Sequence, residues 1–233
     1  AGMSTDIDGM PADMFPLYFD DFSDGIIDSR IQKDRYISAD TLEERNGKLT
    51  FNRPLWSGTE AGTCLYLDDK HNVLDGEFVI QYTLSKTRDV VRMRPYNANW
   101  NALNYMEWRG NDLYIEYRDE DTNQRVGKTI TVPSDSKMKV TLYTNIIDSR
   151  PLYTIWINNE KVLENVLCSY DMSPSNVQWM DFYTLNYGNY GKNGSYSVDN
   201  FGFYRIRQKM ADADRVKMDA DALTESVLEK VTA

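Results

Sequence analysis

Tyr105-Met106-Glu107-Trp108-Arg109-Gly110-Asn111-Asp112-Leu113-Tyr114-Ile115-Glu116-Tyr117-Arg118 reads as two strands folded back on each other. Leu113, Ile115 and Tyr117 alternate with Tyr114, Glu116 and Arg118, the period of a half-buried strand. Gly110-Asn111-Asp112 supplies the turn. Counting back from it sets Glu107 nearly opposite Glu116. Tyr105 and Glu107 share one face of the first strand, and Asn104, Met106 and Trp108 share the other.

The same rhythm extends in both directions. Phe78, Ile80, Tyr82 and Leu84 alternate with Val79, Gln81 and Thr83. Val140 and Leu142 alternate with Thr141 and Tyr143, and Tyr153, Ile155 and Ile157 with Thr154, Trp156 and Asn158. Asp119-Glu120-Asp121-Thr122-Asn123 and Pro133-Ser134-Asp135-Ser136 break the runs, and Asn158-Asn159 suits a tight hairpin because Asn tolerates positive φ. This spacing predicts an all-β fold, a two-sheet antiparallel sandwich over residues 15–208 with a short C-terminal helix. The helix is predicted beyond Ala211, where Val216, Ala220, Leu223 and Val227 recur at helical spacing between Asp and Lys. Residues 209–233 thus read as a helical linker or the truncated start of a neighbouring module.

Composition narrows the function. The chain has 233 residues, 41% hydrophobic and 27% charged, which is enough to bury a core. A net charge of −10 disfavours nucleic acid and anionic membrane as partners. No apolar run reaches the roughly 18 residues a membrane span needs. The start, Ala1-Gly2-Met3-Ser4-Thr5, has no basic stretch followed by an apolar one, so no leader is predicted in the sequence as it stands. Cys64 and Cys168 either pair or remain two separate thiols. His71, the one histidine, sits among polar turn residues, which leaves no multi-histidine metal site and no spare base for a serine nucleophile.

Two segments carry a family resemblance. Leu17-Tyr18-Phe19-Asp20-Asp21-Phe22-Ser23-Asp24-Gly25 near the start and Tyr196-Ser197-Val198-Asp199-Asn200-Phe201-Gly202-Phe203-Tyr204 near the end resemble the first and last strands of concanavalin A-like jelly rolls. That superfamily spans lectins, laminin-G-like modules, carbohydrate-binding modules and glycan-cleaving enzymes. The resemblance implies a jelly roll whose first and last strands are neighbours. It also implies a structural calcium between those ends, for which Asp20, Asp21 and Asp199 offer the hard oxygen ligands calcium requires. The tail, Ala211-Asp212-Ala213-Asp214-Arg215-Val216 with Ala222-Leu223-Thr224, resembles the opening of degenerate immunoglobulin-like modules of secreted bacterial proteins. Together these imply a fragment of a secreted or cell-surface glycan-active protein with neighbouring modules.

Enzyme signatures are thin. The laminarinase-type Glu-x-Asp-x-x-Glu pattern, which sets two carboxylates about 5–5.5 Å apart, has no match. Glu107 and Glu116 stand singly on their strands, with Arg94, Arg109 and Arg118 available to neutralise them. Tyr183-Thr184-Leu185-Asn186-Tyr187 has a faint likeness to a lyase strand, with Thr184 in place of its lysine. No catalytic residue is assigned.

A glycan site needs aromatic rings for the apolar faces of sugars and planar polar groups for their hydroxyls. Arg92, Arg94, Tyr96, Trp100, Tyr105, Trp108 and Tyr114, with Tyr187 in a Gly-rich loop, have that character. Arg92 and Arg94, two apart on one strand face, suit a carboxylate or sulfate. The expected function is non-catalytic binding of a polysaccharide or other glycan. The alternatives are a polysaccharide lyase or glycoside hydrolase on the same fold, and a structural or adhesion module.

Overall fold

The computed structural model describes residues 9–11, 13–29, 31–32, 42–52, 60–66, 74–75, 77–86, 90–97, 102, 104–132, 137–147, 150–168, 176–177, 179–185 and 195–206, with positions 217, 220, 221, 223 and 224 of the tail. In chain order its strands are β1 (Met14–Asp20), β2 (Ile31–Gln32), β3 (Leu42–Arg45), β4 (Lys48–Asn52), β5 (Glu60–Tyr66), β6 (Leu74–Asp75), β7 (Phe78–Lys86) and β8 (Val90–Tyr96). They continue with β9 (Tyr105–Arg109), β10 (Asp112–Arg118), β11 (Arg125–Thr131), β12 (Met138–Ile147), β13 (Arg150–Ile157), β14 (Glu160–Leu167), β15 (Asn176–Val177), β16 (Trp179–Leu185) and β17 (Ser195–Ile206).

The strands form an antiparallel jelly-roll sandwich. Hydrogen bonds trace one curled path, β2-β5-β16-β8-β9-β10-β14-β13-β12-β7-β17-β4-β3, with β11 added beside β10 and β1 beside β17. β10 meets β14 at a single pair, Arg118 with Leu167, so the path folds there into two layers. The terminal strands are neighbours, as the jelly-roll likeness implied: Asp20 of β1 lies opposite Phe201 of β17.

Alternation fills the space between the layers. Val91, Met93, Met106, Trp108, Leu113 and Ile115 face inward from one layer; Phe78, Ile80, Tyr82, Leu84, Val140, Leu142, Tyr153 and Ile155 face them from the other. Burying side chains of this size contributes roughly 1.5–3 kcal/mol each, offset by the conformational entropy lost on folding. A bulge keeps β17 in the pattern. Tyr196 and Val198 face the core, the register slips between Asp199 and Gly202, and Phe201 and Phe203 then face the core with opposite parity. Asn200 takes φ 47° at the slip, a backbone that Asn tolerates better than most residues.

The turns follow their residue chemistry. Asn158 and Asn159 take φ 50° and 67° and close the β13–β14 hairpin, as the sequence predicts. Gly110, at φ 58°, opens the two-residue turn between Arg109 and Asp112.

One strand departs from expectation. β13 alternates apolar and polar residues, yet Leu152, Thr154 and Trp156 are buried as well as Tyr153 and Ile155. The outer face of its layer is covered: the Gly9–Pro11 segment, with Met10 buried, lies near Trp156 and Lys161. Gln81 donates to Thr141 Oγ1 at 2.9 Å beneath that cover, satisfying polar groups that would otherwise be stranded. Cys168 is a free thiol; burial pushes its pKa up to about 12, and it donates to the Pro151 carbonyl. In the tail, Lys217, Ala220, Asp221, Leu223 and Thr224 are helical and exposed, so two residues of the predicted apolar stripe, Ala220 and Leu223, face solvent. His71 lies outside the described residues.

Candidate functional site

Strand register decides which side chains share the outward face of β8, β9 and β10. Arg92 pairs with Glu107, and Glu107 with Tyr114; Glu116 pairs with Tyr105. Residues opposite each other in an antiparallel pair point the same way. Arg92, Arg94 and Tyr96 therefore line up with Tyr105, Glu107 and Arg109, and these with Tyr114, Glu116 and Arg118. Glu107 and Glu116 are diagonal neighbours, not opposite partners; each stands across from a tyrosine. The backbone of β16 continues the row, with Tyr183 opposite Arg92 and Asp181 opposite Arg94.

Trp108 requires a correction. Counted among the ligand residues from sequence, it pairs with Val91 and Leu113 on the inward face and is 0% exposed. A residue pointing into the core cannot touch a ligand on the opposite face. Tyr105, one position out of phase with Met106 and Trp108, is the aromatic beside Tyr114. Trp100 and Tyr187 lie outside the described residues.

Glu107 organises the face. Its side chain is 0% exposed, and it lies between two guanidinium groups. Arg92 Nε donates to Oε1 at 2.7 Å, Arg109 donates to Oε2, and the Tyr105 hydroxyl reaches Oε1 at 3.4 Å. Such bonds between ionised groups are the strong ones, and they offset the cost of removing the carboxylate from water. Arg109 remains 43% exposed on its outer side, so the group is neutralised from within and open above.

Arginine and tyrosine interleave across the surface. Arg92 lies 4.9 Å from the Tyr105 ring centre and Arg94 5.9 Å; Arg94 is also 5.4 Å from the Tyr96 ring. Arg109 is 5.6 Å from the Tyr114 ring, and Tyr105 meets Tyr114 edge-on at 6.0 Å. These distances are within the range of cation–π and edge-to-face attraction. Tyr114 reaches across to β11, where a Cβ on Gly127 would come within 2.4 Å of its ring. Only glycine leaves room for that ring to lie on the strand. The Tyr114 hydroxyl donates to Glu116 Oε2 at 3.3 Å, and Arg125 sits 3.5 Å from Glu116 Oε1. Desolvation, then the Glu116 charge, raises the Tyr114 pKa, so the phenol stays protonated and acts as a donor. Arg118 is tied down elsewhere, donating to the Cys168 carbonyl at 2.8 Å and to Asn123 at 3.0 Å.

The sequence reading named Arg109 as a neutraliser of Glu107 and Glu116, and Arg109 pairs with Glu107; it placed no role on Arg125 or Gly127. Arg109 was within reach by period two from Tyr105. Arg125 and Gly127 were not, because their alignment depends on the length of the 119–124 turn.

The acids expected to hold calcium are dispersed in their contacts. Asp20 accepts from the Phe22 amide and the Tyr18 hydroxyl, Asp21 from the Ser23 amide, Asp199 from the Asn200 amide. Among the described residues no three acidic, His or Cys side chains form a ready metal cluster. Glu44 of β3, absent from the expected set, is buried beside Asp24 and Asp20; desolvation first, then its Asp24 contact, push its pKa up to about 7.

No family model matches the chain, and no curated protein does. Solved structures do. An endo-1,3-β-glucanase from Streptomyces sioyaensis superposes with a TM-score of 0.59 at 9% identity, over 84% of this chain and 97% of that one. SCLam, a non-specific endo-β-1,3(4)-glucanase of family GH16, gives 0.57 at 12% identity over 84% and 92%. A structure reported with endo-acting O-glycanases of human gut microbiota that initiate mucin breakdown gives 0.54 at 13% identity over 81% and 98%. At such identities the likeness is one of architecture alone: the chain shares a jelly-roll sandwich fold with these proteins.

Proposed function

We propose that this chain is a non-catalytic carbohydrate-binding module, and that a glycan lies across the outward face of β8, β9 and β10. One observation carries the reading: a continuous surface of interleaved arginine and tyrosine, held in place by a fully buried carboxylate. Rings at Tyr96, Tyr105 and Tyr114 supply apolar faces for sugar CH groups, and Arg92, Arg94 and Arg109 supply planar donors for hydroxyl or acidic oxygens. Preorganisation by Glu107 lowers the ordering cost of binding. The same feature argues against catalysis: Glu107 is enclosed by two arginines and unavailable as a nucleophile or acid, and Tyr114 is kept protonated. The tail resemblance and the architecture support a place in a secreted or cell-surface multidomain bacterial protein, beside further modules.

A glycan-array screen, paired with a product assay on neutral and acidic polysaccharides, tests this. Binding without product, lost in Tyr105→Ala and Tyr114→Ala while both variants still unfold cooperatively, is the expected result. Appearance of cleaved product would move the assignment to a lyase or hydrolase. A wild-type chain that binds no glycan, with Tyr114→Ala unfolding it, would make the face structural.

A further inference from the structure

The charge of the outward face runs against that of the chain. The net charge is −10, yet the described outward positions of β8 to β11 carry five arginines against three acids, Glu107, Asp112 and Glu116. Each of these acids is engaged within the face. Glu107 is clasped by Arg92 and Arg109, Asp112 accepts from the Thr131 hydroxyl at 3.0 Å, and Glu116 receives the Tyr114 hydroxyl beside the Arg125 guanidinium.

The arginines differ in how much surface they present. Arg92 is 14% exposed, with its Nε on Glu107. The Nε of Arg94 is buried, and its guanidinium lies over the rings of Tyr96 and Tyr105. Arg118 is bonded to the Cys168 carbonyl and to Asn123. Arg109 and Arg125 are 43% and 54% exposed, and both flank Tyr114. Arg109 lies 5.6 Å from the Tyr114 ring centre, and Arg125 lies 3.5 Å from the carboxylate that receives the Tyr114 hydroxyl. The open guanidinium surface is therefore greater at Arg109 and Arg125 than at the Arg92–Arg94 pair that the sequence marks for an acidic group.

Building on the glycan-binding reading above, we propose that the ligand is an anionic glycan, with a sugar ring on Tyr114 and its carboxylate or sulfate groups on Arg109 and Arg125. Guanidinium presents a planar fork of donors that matches the oxygens of either group. Gly127, two residues from Arg125, lets the Tyr114 ring lie on the strand that presents Arg125. A neutral glycan would use the rings and leave the surplus positive charge unmatched. The acidic remainder of the chain repels a polyanion, so the local surplus steers it to this face.

The test uses the whole chain and two matched pairs of probes: a polyuronate with its carboxyl-reduced form, and a sulfated galactan with its desulfated form. Calorimetry is expected to show at least about tenfold tighter binding of a charged form than of its uncharged partner. That advantage should shrink as NaCl rises from about 0.05 to 0.5 M. Whichever pair shows it tells carboxylate from sulfate. Arg125→Gln should remove most of the advantage with little change in melting temperature, because Arg125 is an exposed residue of an edge strand. Arg125→Lys should keep part of it, since the charge remains and the fork is lost. Glu116→Gln should raise affinity for the charged form alone, because it removes a like charge beside the anion. Arg109→Gln should act as Arg125→Gln does, with cooperative melting checked because Arg109 also holds Glu107. Equal binding of charged and uncharged probes would overturn this inference and leave the glycan-binding reading standing. No binding of any probe would overturn both. An advantage that survives both Arg125→Gln and Arg109→Gln would put the anion elsewhere and overturn it as well.

Discussion

Two buried glutamates, Glu107 on the interior strand β9 and Glu44 on the edge strand β3, live under different rules. Glu107 is enclosed by Arg92 of the neighbouring β8 and by Arg109 of its own strand, and is helped by Tyr105, also of β9. Glu44 is buried with the Asp24 and Asp20 carboxyls nearby and the Gly25 amide as its donor. The first carboxylate is a structural pin whose charge is balanced inside the chain. The second lies among other carboxyls, and burial first, then the Asp24 contact, push its pKa up to about 7. Burial alone therefore says little about what an acid does; the identity of the atoms around it decides.

The sharpest break in this comparison is the removal of each acid in turn. Glu107→Ala leaves two arginines facing each other on the sheet and is expected to cost about 3–5 kcal/mol, the range for breaking a buried ion pair; chemical denaturation reads it directly. Glu44→Gln is expected to cost nothing or to stabilise, because a neutral amide relieves the crowding of three carboxyls. If Glu107→Ala instead costs no more than a surface change, the ion pair is not the pin of this face. Trp108→Ala is expected to cost a similar 3–5 kcal/mol through the cavity it leaves, and a change under about 0.5 kcal/mol would move Trp108 back toward the ligand face.

Smaller effects refine the same contrast. Gly127→Ala places a methyl group where the Tyr114 ring lies, so the ring must lift off β11. Glycan affinity should fall about tenfold or more while the melting temperature moves little, because β11 is an exposed edge strand. An unchanged affinity would remove Tyr114 from the ligand surface. Removal of residues 209–233 should be the smallest perturbation, within about 0.5 kcal/mol, since the described helical positions of the tail are solvent-exposed. Loss of cooperative unfolding in the truncated chain would show that the tail belongs to the sandwich.

Much of this could be read before any coordinates. The alternation in Phe78–Leu84 and Leu113–Tyr117 fixes which residues turn inward, because a strand offers only two faces. Asn158-Asn159 closes a hairpin because asparagine accepts positive φ. The pairing of the terminal strands was implied instead by the likeness of residues 17–25 and 196–204 to jelly-roll ends. That Arg92 and Arg94 share one side of their strand, and that Tyr105 and Trp108 take opposite sides of theirs, is likewise a matter of parity along each strand. What one strand cannot state is its alignment with the next. A shift of one residue moves an entire set of side chains from surface to core, which is why Trp108 looked equivalent to Tyr105 until the pairing Trp108–Leu113 was known. Glu44 escaped notice for a related reason. An acid in Leu42-Glu43-Glu44-Arg45 looks solvated from sequence, and only the folding of the Asp20–Gly25 turn against β3 removes its water and surrounds it with other acids. Local periodicity is determined by the chain itself; register, and the company a buried charge keeps, are set by contacts between segments far apart in sequence, where no local rule reaches.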